Sequence, residues 1–150
     1  MSPDLARLIA GQMFLHACMA GTRMAIPLLA LNQGFSAVAV GALLALFAFS
    51  PMLLALPAGR YSDRRGLQKI MRISVVMSAS GVLLSALWPI FPVMCVSALA
   101  AGGATGMAVI ALQRHVGRMA KDPAELKVAF SWLSLGPAVS NFVGPVLAGL

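Results

Sequence analysis

The sequence predicts an all-α protein, a polytopic bundle of membrane-spanning helices. Three observations carry that expectation. First, 60% of the 150 residues are hydrophobic and only 10% are charged, with a mean hydropathy of +0.91. A soluble domain has about a quarter of its residues charged, so this chain cannot cover itself with polar surface in water. Second, the apolar residues fall into five runs, 8–31, 37–58, 73–90, 93–112 and 128–150. At 1.5 Å rise per residue, runs of about 18 to 24 residues cross a hydrocarbon core of about 30 Å. The short alternating segments of a membrane barrel are not seen. Helices satisfy their own backbone groups in lipid, which makes them the expected spans. Third, the net charge of +7 sits in tight clusters between the runs. A nucleic-acid face would spread basic residues over a soluble fold; clustered loop charge is the pattern of a membrane protein.

The first span opens on "SPD", with Ser2 as a helix cap, Pro3 in the first turn and Asp4 at the positive end of the helix dipole. A cleaved signal peptide is the rival reading of this end, but the apolar run continues past Cys18 to Leu31. Gln12, His16, Met19, Arg23 and Pro27 follow spacings of three, four and seven, and so share one stripe. Such a stripe is expected to face a cavity or a partner rather than lipid. Arg23 is the one charged residue inside a span. Burying a charge at the bilayer centre costs about 2.5 to 3.5 kcal/mol on insertion scales, which marks it as a functional candidate. Its bland alternative is snorkelling to the nearer interface. Gln12 and His16 join it as substrate-binding candidates, His16 either as a proton carrier or as a hydrogen-bonded bundle residue.

The second span carries Pro51 and Pro57, the third Gly81, and the fifth Pro137 and Pro145. These residues would break soluble helices and are tolerated in membrane ones. Cys18 and Cys95 fall inside spans without metal-ligand spacing, and read as small buried thiols. On the fifth span, Ser134, Pro137 and Ala138, Asn141 and Pro145 form another stripe. Asn141 is a candidate donor to substrate or to a neighbouring helix.

Ten of the eleven basic residues predict the orientation. Arg7 precedes the first span. Arg60, Arg64, Arg65, Lys69 and Arg72 separate the second from the third. Arg114, Arg118, Lys121 and Lys127 separate the fourth from the fifth. The opposite connections, "NQGFS" and "WPIFP", are uncharged. The basic side, with the N-terminus, is expected in the cytoplasm. The setting is a plasma membrane, and a bacterial inner membrane is the expected one. Trp88 and Phe91 mark the outer boundary, with Tyr61 and Trp132 on the inner side.

The stretch "GRYSDRRGLQKIMR" at 59–72 asks for more than topology, since basic residues alone would orient the chain. Gly59, Asp63, Arg64 and Gly66, followed by Lys69, resemble the signature loop between helices two and three of the major facilitator superfamily of transporters. Leu67 and Gln68 depart from that pattern. The resemblance implies a first glycine at a close helix contact, an Asp–Arg charge cluster and a second glycine in the turn. Asp63 is the lone acid among these basic residues and is expected to be ion-paired. In the fifth span, Gly144, Pro145, Ala148 and Gly149 resemble the end of the motif found in the family's drug–proton antiporters, with Ser140 and Ala148 in place of glycines. This hints at efflux. The fourth span has the family's glycine-rich stretch, "AGGATG", but Ala98 and Leu99 stand where an intramembrane Arg is usual. That departure puts the usual proton-antiport arrangement in doubt.

The resemblance implies transport of a small solute by alternating access, with substrate held near the midplane between two six-helix halves, each of two inverted three-helix repeats. Five spans make an incomplete N-terminal six-helix domain, so a C-terminal half is an expected partner. The alternative is a small non-transporting five-helix membrane protein that assembles with partner subunits. Arg23 favours an anionic or hydrogen-bond-accepting group on the substrate. The lipid bilayer is the other expected partner, and nucleic acid is not. An enzyme is not expected: His16 and His115 lie in different helices, no acid falls in a span, and no nucleophile, metal or phosphate-loop constellation occurs. Neither cofactor nor metal is expected.

Overall fold

The computed structural model describes residues 3–120 and 122–148, with side chains between 7 and 146. Ser2, Lys121, Gly149 and Leu150 therefore lie outside the described residues, as do the side chains of Pro3, Asp4 and Ala148. Five helices follow in order: α1 (Pro3–Asn32), α2 (Ala37–Arg65), α3 (Leu67–Leu87), α4 (Phe91–Met119) and α5 (Pro123–Ala148). No strand occurs among the described residues. Four helices, α1 to α4, are long and apolar enough to cross a membrane. The fifth expected span, 128–150, ends outside the described residues.

The helices overrun the apolar stretches that predict them. Most of the charged segment 59–72 is helical: α2 continues to Arg65, α3 begins at Leu67, and the turn between them is the single residue Gly66. Gly66 has a φ of 81°, where a side chain would be strained, and its N–H bonds the Ser62 carbonyl. A helix needs no apolar side chains beyond the bilayer edge, so hydropathy marks where the lipid stops and not where the helix stops.

The opposite, uncharged end is tied more broadly. Ser36 caps α2 by accepting from the Ala39 N–H, and Gly34 takes a φ of 83°. The Gln33 side-chain amide donates to the Pro89 carbonyl at 2.8 Å, joining the α1–α2 and α3–α4 connections. The Phe35 and Phe91 rings lie 4.8 Å apart beneath them. At the basic end Asp122 caps α5 by accepting from the Glu125 N–H at 2.8 Å.

Helix α4 is the hub, packed against α2, α3 and α1, while α5 packs on α1 and only grazes α4. Two apolar clusters fill the bundle. Toward the basic end, Leu15 of α1 meets Leu67, Ile70 and Met71 of α3 and Ala108, Ala111 and Leu112 of α4. Toward the uncharged end, Ile26 and Ala30 meet Leu43 and Phe47 of α2 and Met94 and Ala98 of α4. Glycine allows the closest approaches. A Cβ at Gly102 would strike the Phe47 carbonyl and the Ser50 hydroxyl, and one at Gly106 would strike Pro51. Gly81 of α3 receives a hydrogen bond from Ser97 of α4 to its carbonyl. Apolar side chains such as Phe14, Val38, Met52, Leu56 and Phe142 stay exposed around the outside, where a bilayer would cover them.

Candidate functional site

At the basic end, Asp63 is held by two arginines from α4. Arg118 Nη1 lies 2.6 Å from Asp63 Oδ1 and Arg114 Nη2 lies 3.2 Å from Oδ2. The two arginines are four residues apart and so lie on one face of α4, which presents both to the carboxylate. A Cβ at Gly59 would run into the Arg114 guanidinium. Gly59 thus leaves the room that lets Arg114 cross to Asp63, one turn further along α2. The partners of Asp63 are therefore in the fourth helix, and the short signature stretch gives no hint of them. Arg64 and Lys69 are exposed and make no ion pair among the described residues.

The second constellation lies along the α1–α5 seam. Gly144 is buried against the Ala17 carbonyl, the Ala20 side chain and the Gly21 N–H. Gly136 sits over Met13, and the Ser140 hydroxyl donates to the Met13 carbonyl at 2.8 Å. Ser140, which stands in place of a glycine, therefore holds the seam with a hydrogen bond. Toward the uncharged end the seam opens into a cleft of about 380 Å³ lined by Ala20, Arg23, Met24, Asn141 and Pro145. Both Arg23 and Asn141 are exposed to it, and neither makes a hydrogen bond or ion pair among the described residues. The substrate-binding candidates thus divide. Arg23 of α1 and Asn141 of α5 meet around one cleft. Gln12 is buried and His16 half-buried, with Gln12 Oε1 and His16 Nδ1 unpartnered among the described residues; neither side chain lines the cleft. The stripe is not uniform, because Pro27 is buried as well. One face of a helix this long meets α4 at some levels and open space at others.

A family model, the Major Facilitator Superfamily, matches residues 8–150. The chain belongs to the major facilitator superfamily. This major facilitator chain is part of a multi-pass membrane transporter family, and the all-α bundle described above agrees with that membership. Searches of curated proteins and of solved structures find no match.

In this major facilitator chain no group of three or more metal-ligating side chains occurs among the described residues. Cys18 and Cys95 are free thiols, but neither is buried in the bundle as the sequence suggests: Cys18 is exposed and Cys95 half-buried, and Cys18 accepts a weak hydrogen bond from Ser78 at 3.7 Å. Of the fifth-helix motif, Gly144 packs on α1 and Pro145 lines the cleft, while Gly149 lies outside the described residues.

Proposed function

We propose that the chain moves a small solute by alternating access and that the α1–α5 cleft is part of the solute site. The observation that carries this reading is an intramembrane arginine, without a partner among the described residues, at the wall of a partly polar cleft. Charge inside a span is costly and persists where it does work. The opposite wall comes from a second bundle, in the same or another polypeptide, because substrate sits between two halves in this architecture. Asp63 and its two arginines tie α2 to α4 at the basic end, and a charge contact there biases one of the two states of the cycle. The basic end and the N-terminus face the cytoplasm, since basic loops stay inside. A bacterial inner membrane is the proposed location, and export the proposed direction, on the strength of the Gly144–Pro145 motif.

Two experiments test this. The full-length protein, reconstituted in vesicles, is expected to support counterflow of a loaded solute, and absence of counterflow across a broad solute panel counts against transport. For orientation, single cysteines at Gln33 or Ile90, in a background without Cys18 and Cys95, are expected to react with an impermeant thiol reagent outside intact cells. One at Gln68 is expected to react only after the membrane is opened. Labelling of position 68 from outside would reverse the topology.

A further inference from the structure

The chemistry of the cleft goes further than a positive charge. The register of α1 on α5 is set by Ser140 on the Met13 carbonyl and by Gly144 between Ala17 and Gly21. At 1.5 Å per residue, that register puts Asn141 roughly 10 Å nearer the basic end than Arg23. Arg23 and Asn141 line the same cleft across that offset. Pro145 adds an acceptor. Proline has no N–H, so the carbonyl four residues earlier, that of Asn141, loses its usual helical donor. Asn141 and Pro145 both line the cleft. In a helix the Asn141 carbonyl points along the axis toward Pro145, and both residues that flank it line the cleft. A carbonyl without a donor in a membrane span is costly unless something donates to it. In the α2–α4 seam, by contrast, Pro51 removes the donor for the Phe47 carbonyl, and that carbonyl lies against Gly102.

The cleft therefore offers a guanidinium with five N–H donors at one end, and a backbone acceptor with a side-chain amide at the other. We infer that it takes a small organic anion that also carries an N–H or O–H donor, such as an amino acid or a hydroxy acid. The carboxylate meets Arg23, and the ammonium or hydroxyl donates to the Asn141 carbonyl. A plain carboxylate leaves that carbonyl unmet, and a neutral polyol leaves the guanidinium unmet. A site built around a hydrogen bond rejects analogues that lack it, because its own buried group is then left unpaired. This inference rests on the cleft being the solute site of the transporter.

Four three-carbon probes test it: L-alanine, L-lactate, propionate and glycerol. Each is titrated against the full-length protein in detergent at constant ionic strength, and the shift in Tm is converted to an apparent Kd. Alanine or lactate is expected to bind at least tenfold more tightly than propionate, with glycerol giving no shift. In Pro145→Ala, which restores the missing N–H, the preference over propionate is expected to fall to within about threefold. Arg23→Leu is expected to abolish the shift from all three carboxylates. Binding of propionate by the unaltered protein as tight as that of both alanine and lactate overturns the inference, as does binding of glycerol alone, as does no shift with any probe. A tenfold preference that survives in Pro145→Ala overturns the role given to the Asn141 carbonyl. Selective binding without counterflow in vesicles counts against the transport reading alone, and counterflow without selectivity among these probes counts against this one alone.

Discussion

The α2–α4 seam and the α1–α5 seam are built from the same materials and end differently. Under the inverted repeat of the family, which relates the first three helices of a half to the next three, they are counterparts. Each has glycines at the contact, Gly102 and Gly106 in one, Gly136 and Gly144 in the other, and each has a proline inside a helix. In the α2–α4 seam the parts close on one another: Gly102 covers the Phe47 carbonyl and Gly106 covers Pro51. The α1–α5 seam closes at Gly144 and leaves beside it a cleft lined by Arg23, Asn141 and Pro145. Glycine and proline are thus the common packing device, and the polar side chains at the cleft are what distinguish the two seams. The hub position of α4 explains why one seam is shut. It is flanked by three helices, whereas α5 has one substantial neighbour.

That contrast can be broken most forcefully at the sealed seam. Gly102→Leu is expected to destabilise the full-length protein by about 1–3 kcal/mol or more, since the added side chain meets backbone that cannot move aside. Gly144→Leu is expected to cost less, because α5 can shift away from α1 without displacing the hub. Thermal unfolding in detergent checks both. An equal loss in the two would show that the seams are equally closed.

A smaller stability effect and a large functional one are expected at the basic end. The pairs around Asp63 are half exposed, and such pairs contribute only about 0–1 kcal/mol. Asp63→Asn should leave insertion and unfolding almost unchanged while transport falls strongly. Gly59→Val should behave the same way, because it fills the space through which Arg114 reaches Asp63. Unaltered transport rates in both would reduce this stretch to a topology signal.

Ser140→Ala removes a side-chain hydrogen bond that crosses the α1–α5 seam. Interhelical hydrogen bonds in membranes contribute about 0.6 kcal/mol on average, and a loss of that size in unfolding free energy is expected. No change would mean that Gly144 and Gly136 alone hold the seam.

Much of this was legible in the sequence, for a physical reason. Lipid forces whole helices, so five helices could be counted from hydropathy alone, and Gly66 could be read as a turn because few other residues take its φ. Arg23 stood out because charge in a span is costly. What stayed hidden depended on residues far apart. The partners of Asp63 lie on another helix, with Arg118 some 55 positions away. Their i, i+4 spacing at the end of α4 was the only local sign of a shared target. The glycine-rich stretch of α4 was visible, but not that it faces Phe47 and Pro51 of α2. The stripe on α1 reads as one surface in the sequence, and only the register against α4 and α5 reveals that Gln12 is buried while Arg23 is open.

The most direct test of the open seam is Arg23→Leu in the full-length protein, with solute affinity and thermal stability measured side by side. Leucine suits a membrane span better than arginine, so removal of the charge should not weaken the fold. The expected result is loss of solute binding with stability unchanged. If stability falls together with binding, Arg23 instead pairs with an acid on the facing half. Unchanged affinity would contradict the account and remove Arg23 from the site.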